Sequence, residues 1–149
     1  MKINRNINTT IVCDDNLFVL NDFKNDIIIS KLDDLKDLKT SFIIFNDFLR
    51  LLNSHEKEIL LSNLEKKNIH FLNITSNIEE ALFADELKVV YHNRVMLEGS
   101  TLSVLKEEKL LKRLGYQLPF MVDLSLQLNA YNLIDSIFLD EDVLVNKLW

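Results

Sequence analysis

Ser41-Phe42-Ile43-Ile44-Phe45-Asn46-Asp47 decides the fold. Four apolar residues run unbroken from Phe42 to Phe45. So short a run, bounded by polar residues, reads as a β-strand buried on both faces rather than one with a wet side. Asn46 and Asp47 then stand at its C-terminal end. In open parallel α/β sheets, ligands bind at that end.

Strand-like and helix-like stretches alternate on both sides of this run. Residues 9–13 are rich in β-branched side chains and residues 26–30 hold three consecutive isoleucines; both read as strands, as do 69–74 and 87–91. Between them, a short helix is expected over 17–23 with Leu17, Leu20 and Phe23 inward. Leu32, Leu35 and Leu38 repeat at helical spacing and predict a second helix ending near Lys39. Asn53 followed by Glu56 is a capping box that opens a helix to about Lys66, with Ile59, Leu60 and Leu64 inside. Ser76 followed by Glu79 has the same form and opens a short helix to about Phe83. His92-Asn93 makes a tight turn into an antiparallel partner, 94–98. Residues 1–8 are polar and are expected to fray.

Strand signals stop after Gly99. Residues 101–114 read as one helix with Leu102, Leu105, Leu110 and Leu114 on its apolar side. Gly115 is placed to cap it and Pro119 to begin another. Residues 120–138 are apolar and largely helical. The tail 139–149 mixes acids with Val143, Leu144, Val145, Leu148 and Trp149, suited to packing on the domain or on a partner. Strands and helices joined by short loops imply a parallel sheet with right-handed crossovers. The expected organisation is a reduced α/β core over 1–100 and a C-terminal helical extension over 101–149.

Composition narrows the function. Hydrophobic content of 48% and charged content of 27% describe a chain that folds. The net charge is −6 and no Lys/Arg cluster exists, which argues against nucleic acid as a partner. Cys13, the single cysteine, has no disulfide mate, pointing to a reducing compartment. No apolar run reaches the ~20 residues of a membrane span. The expectation is a cytoplasmic protein, with any membrane link supplied by a partner. Gly99 and Gly115 are the only glycines. Neither GxxxxGK[ST] nor GxGxxG can be written anywhere, so no glycine-rich loop cradles a phosphate.

From Ser41 to Gly99 the residues resemble the C-terminal half of an ABC-transporter ATPase. Phe42-Ile43-Ile44-Phe45-Asn46-Asp47 is similar to the Walker B strand, which usually ends Asp-Glu. Arg50-Leu51-Leu52-Asn53 falls at the D-loop, and Ile74-Thr75-Ser76-Asn77 at the H-loop, usually Ile-Thr-His-Asp. Ile78-Glu79-Glu80-Ala81 with Ala84-Asp85 resembles the helix after the H-loop, and Arg94-Val95-Met96-Leu97-Glu98-Gly99 the closing hairpin. Glu108-Lys109-Leu110-Leu111, Leu114 to Phe120, and Leu124-Ser125 resemble the helical extension of energy-coupling factor (ECF) transporter ATPases. The resemblance covers about 41–128.

The resemblance implies a mostly parallel sheet of P-loop NTPase type lacking the P-loop, and a family that uses ATP and magnesium. It also exposes losses. Walker A and the LSGGQ signature are absent. Asn46 stands for the magnesium-linked Asp, Asp47 for the catalytic Glu, and Ser76 for the H-loop His. These three are therefore assigned as vestigial, with no catalytic residue, metal or cofactor. Competing readings remain: a residual magnesium or water site at Asn46 and Asp47 against a plain strand end, and a phosphate contact at Ser76 against an N-cap. His55, His70 and His92 lack ligand spacing, and Cys13 lacks a matched histidine. Asp14-Asp15-Asn16 is either a solvated turn or two carboxylates where phosphates would lie; both exclude ATP.

Three functions are compatible with this: a non-catalytic interaction subunit beside an ECF ATPase or membrane component, peripheral at the inner membrane face; a live but reduced ATPase; and a free-standing scaffold. The helices after Thr101 serve as a dimer surface or as core. Deleting the P-loop strand would split the sheet. Residues 9–13 are expected to fill the gap, giving the order 26–30, 41–46, 69–74, 9–13, 87–91, 94–98, with Ile11 flanked by Leu72 and Val89; the alternative places 9–13 at the outer edge beyond 41–46, with Val89 paired directly to 69–74.

Overall fold

A computed structural model of the chain describes residues 1–36 and 38–148. They divide into two compact units, Met1–Val104 and Leu105–Trp149.

The first unit is built on six strands: β1 (Thr9–Cys13), β2 (Ile28–Ile29), β3 (Phe42–Asn46), β4 (His70–Thr75), β5 (Glu86–Tyr91) and β6 (Arg94–Ser100). Their order is β2-β3-β4-β1-β5-β6, parallel except for β6. The strand order and the α/β class are those expected. The register is not. Ile11 lies opposite Ile74 and Lys88, while Leu72 faces Thr9 and Val89 faces Val12. The reason lies one residue before β1. Asn8 Oδ1 accepts from the Phe71 N–H at 3.0 Å, and its backbone oxygen accepts from Asp85 and Glu86 at 3.0 and 3.2 Å. Those bonds set Thr9 level with Leu72 and Glu86.

The β3 run is buried on both faces, as its unbroken apolarity requires. Phe42 and Ile44 join Ile11, Val19, Phe23, Leu72 and Ile74 on one side. Ile43 and Phe45 join Ile29, Phe48, Leu64 and Phe71 on the other. Phe45 stacks on Phe48 with ring centroids 5.5 Å apart. Residues 1–8 do not fray: Ile3 packs against the first cluster, and the Arg5 guanidinium forks onto Asp26 and lies 4.7 Å above the Phe42 ring.

Helix α1 (Asn16–Leu20) continues as a 3₁₀ turn, Asn21–Phe23. Phe23 is buried and Leu20 half-buried against the core, as expected, but Leu17 is 76% exposed and Val19 is buried in its place. Asp15 starts the helix one residue early by accepting from the Leu17 and Phe18 amides. Leu32–Leu35 forms a 3₁₀ turn rather than a helix to Lys39; Asp37 of that stretch lies outside the described residues. Helix α2 (Ser54–Lys66) carries the expected capping box, with Glu56 N–H on Asn53 Oδ1 at 2.8 Å and Asn53 N–H on Glu56 Oε1 at 3.1 Å. Leu64 is its buried residue, Leu60 and Leu61 are half-buried, and Ile59 faces solvent. The His92-Asn93 turn has φ of +47° and +63°, suiting a tight hairpin.

The expected 101–114 helix is two helices, α3 (Thr101–Leu105) and α4 (Glu108–Arg113). In the second unit, α4 ends in a Schellman motif: Gly115 at φ +89° donates to Lys112 O at 3.1 Å and Tyr116 N–H to Leu111 O at 3.0 Å. Helix α5 (Phe120–Ala130) comes directly after Pro119. Ser125 Oγ donates to Phe138 O at 3.1 Å and accepts from its N–H at 3.0 Å, tying down the chain beyond α5. The tail forms α6 (Glu141–Leu148), capped by Asp140 Oδ1 on the Asp142 amide at 2.8 Å. Trp149 lies outside the described residues. Among the described residues, no helix is long and apolar enough to cross a membrane.

Candidate functional site

The C-terminal ends of the parallel strands bring together most of the residues singled out from sequence. β1 delivers Cys13 and the Asp14-Asp15-Asn16 turn, β2 delivers Ser30, β3 delivers Asn46 and Asp47, and β4 delivers Thr75 and Ser76. Parallel strands share a direction, so their polar exits collect along one edge.

These groups bond largely to one another. The Cys13 thiol donates to Asn16 Oδ1 at 3.2 Å, Asn16 Nδ2 to Asn46 Oδ1 at 3.2 Å, and Asn46 Nδ2 to Ser30 Oγ at 3.4 Å. The chain of donors runs across three strand ends. Asp47 sits at φ +49°, which Asp tolerates better than most residues. Its N–H donates to Ile74 O at 2.8 Å, and its Oδ2 accepts from Arg50 Nε at 2.8 Å. Asp15 caps α1, and Asp14 Oδ2 accepts from the His92 amide at 3.2 Å.

This arrangement sets the electrostatics of the edge. Burial pushes the Cys13 thiol up to about 11; a hydrogen bond from the Asp15 backbone opposes this, and the charges of Asp14, Asp15 and Asp47 add to it. A thiol so placed is protonated at neutral pH and is a poor nucleophile. The same three carboxylates would repel an anion brought to this edge. Among the described residues, no three His, Cys, Asp or Glu side chains come together to hold a metal. The three histidines fall at the start of α2, on β4 and in the β5–β6 turn, on separate elements.

Ser76 does not cap the turn after β4. Asn77 does: its Oδ1 accepts from the Glu79 N–H at 3.0 Å, opening the 3₁₀ stretch Ile78–Phe83. The Glu79 amide that a Ser76 cap would use is taken by Asn77, and Thr75 Oγ1 accepts from the Asn77 N–H at 3.0 Å, so the turn starts one residue later.

Sequence reasoning missed Asn16 as the bridge and Glu80 as a buried acid. Glu80 is 2% exposed and accepts from Asn73 Nδ2 at 3.0 Å and Thr75 Oγ1 at 3.1 Å. A signal existed. Asn73 and Thr75 alternate on one face of a strand whose other residues after His70 are apolar, and a buried polar pair needs a polar partner.

No family model matches the chain. It is 29% identical over 117 residues to the energy-coupling factor transporter ATP-binding protein EcfA1 of Geobacillus kaustophilus, covering 75% of this chain and 42% of that one. It is 34% identical over 92 residues to EcfA1 of Clostridioides difficile, covering 59% and 33%. With EcfA1 of Staphylococcus epidermidis it shares 30% over 115 residues, covering 74% and 41%. Among solved structures, CbiO1 from Clostridium perfringens, part of the ABC transporter complex CbiONQ, is similar at 19% identity with a TM-score of 0.40, over 54% of this chain and 34% of that one. The chain is similar to energy-coupling factor transporter ATP-binding proteins over 59–75% of its own length and spans less than half of theirs.

Proposed function

We propose that the chain is a non-catalytic, ABC-ATPase-like subunit, an interaction or structural component of an ECF-type transporter. One observation carries the reading. β1 lies between β4 and β5, the place that the P-loop strand holds in the resembled fold. β1 leads into Asp14-Asp15-Asn16 rather than a glycine-rich turn, and Gly99 is the first glycine of the chain. A phosphate cradle needs backbone N–H groups left open at close range. Here two of the amides after β1 are taken by the Asp15 carboxylate, at 3.0 and 3.4 Å. Magnesium prefers carboxylates together with substrate phosphates. The β3 exit offers a neutral Asn46 engaged on both sides and an Asp47 paired with Arg50.

On this reading Asn46, Asp47 and Ser76 are vestigial positions, and the chain uses neither ATP nor magnesium. Its partner is an ECF ATPase or a membrane subunit, which holds it at the cytoplasmic face. Residues 101–149 contribute a dimer surface. Two measurements test the reading. Mg-ATP at millimolar concentration is expected to leave the thermal midpoint unmoved; a rise of several degrees would count against it, because binding to the folded state stabilises by mass action. Capture from native membranes is expected to recover an ECF component, equally well with Asn46→Ala and Asp47→Ala. Recovery of none in several detergents would overturn the partner assignment.

A further inference from the structure

The loop after β4 is held by an acid inside the core. Both Glu80 oxygens accept, Oε1 from Asn73 Nδ2 at 3.0 Å and Oε2 from Thr75 Oγ1 at 3.1 Å. Thr75 Oγ1 in turn accepts from the Asn77 N–H at 3.0 Å, and Asn77 O accepts from the Glu80 N–H at 3.1 Å. These bonds close a ring through residues 75, 77 and 80. The ring is anchored to the neighbouring strand, since Thr10 Oγ1 donates to the Glu80 backbone oxygen at 3.4 Å. Thr10, Asn73 and Thr75 are fully buried and Glu80 nearly so.

The arrangement has a cost. Asn73 turns its amide nitrogen to Glu80, and its Oδ1 is left buried without a hydrogen-bond partner among the described residues. An unpaired buried acceptor is destabilising, and native proteins contain few of them. The cost is met where the donor is wanted at an acid that neutral groups alone must satisfy.

We propose that Glu80 is an internal lock on the Thr75-Ser76-Asn77 loop, so that the C-terminal edge of β4 presents one fixed conformation without any bound ligand. The acid acts through Thr75: it accepts a hydrogen bond from the Thr75 hydroxyl and so directs that oxygen's lone pair at the Asn77 amide. Ser76, exposed at the apex, is thereby held in place by residues on either side. This inference does not depend on the proposed function. It holds for a free-standing protein as well as for a transporter component.

Amide hydrogen exchange on the ligand-free, full-length chain tests it. The Asn77 and Glu80 amides are expected to be protected. Thr75→Val keeps the shape and removes the hydroxyl, and should speed exchange at Asn77 by about tenfold or more, the scale of losing a hydrogen bond linked to an acid. Val12 in β1 should be unaffected. Glu80→Gln should speed exchange at the same two amides, and Glu80→Asp, which shortens the reach, should not restore them. Unprotected Asn77 and Glu80 in the unmodified chain would overturn the lock, as would unchanged exchange in Thr75→Val. Should Glu80→Gln fail to fold, Thr75→Val alone decides the matter.

Discussion

Replacing Ile11 by alanine measures where β1 sits. Ile11 is fully buried, in a strand flanked by β4 on one side and β5 on the other. The change deletes three carbon groups, and at about 0.8 kcal/mol apiece the transfer loss is about 2.4 kcal/mol. A strand hydrogen-bonded on both sides cannot collapse into the space left, so a cavity contribution of about 1–2 kcal/mol adds to it. The expected loss is therefore about 4 kcal/mol, against a total stability of about 5–15 kcal/mol for a domain. Val95 on the edge strand β6 is 43% exposed; its change to alanine should cost less than about 1 kcal/mol. Urea unfolding monitored by far-ultraviolet circular dichroism reads both. With a slope of about 2 kcal/mol per molar, the Ile11→Ala midpoint should fall by about 2 M and the Val95→Ala midpoint by under about 0.5 M. Equal, small losses at the two sites would place β1 at an edge. That would remove the observation on which the proposed function rests.

Four further outcomes are expected. Asn53→Ala removes half of the capping box that opens α2 and should cost about 1 kcal/mol by the same assay. Gly115→Ala forces a Cβ into φ +89° and should destabilise by about 1 kcal/mol; its Cβ meets no atom within 4 Å, so the cost is conformational. Cys13, with its thiol raised to about 11, should react with a maleimide at pH 8 about a hundredfold more slowly than in urea, because the thiolate reacts. The same shift bears on stability. The folded state holds this proton more tightly than the unfolded chain, so the contribution is complete below the thiol's ordinary value and is lost as pH climbs to about 11. Cys13→Ser should reduce that alkaline loss.

The strand order was legible through the resemblance to the ABC-ATPase fold, which implies the neighbours of the missing P-loop strand, and because an unfilled gap beside β4 would strand a row of backbone groups. The register was not, since it is fixed by Asn8, a residue outside the strand whose side chain reaches Phe71. In the α1 segment Leu20 and Phe23 were legible as inward and Leu17 was misplaced, since five residues give little more than one turn and the Asp15 cap shifts the start. In residues 101–114 leucine spacing runs smoothly through Lys106 and Glu107, and no Gly or Pro marks the break between α3 and α4. At the candidate site, Asn46 and Asp47 were found because they end a strand. Arg50 is a local partner three residues after Asp47, whereas Asn16 and Ser30 come from other segments, and their pairing is a product of the tertiary fold. Glu80 was not singled out beside Glu79, and its 2% exposure follows from packing on β4, where Asn73 and Thr75 donate to it.

The residues that occupy the strand ends are now part of what holds the sheet together. Asp15 caps α1, Asp14 fastens the β5–β6 turn through His92, and Asn16 ties β1 to β3 through Asn46. Grafting a glycine-rich turn onto residues 14–16 would delete each of these bonds, and a cap alone is worth about 1 kcal/mol. It would also leave the Cys13 thiol and Asn46 Oδ1 without the Asn16 amide that links them. The absence of a phosphate cradle is therefore not a vacancy that one substitution could refill. This edge is occupied by acids and amides that bond among themselves.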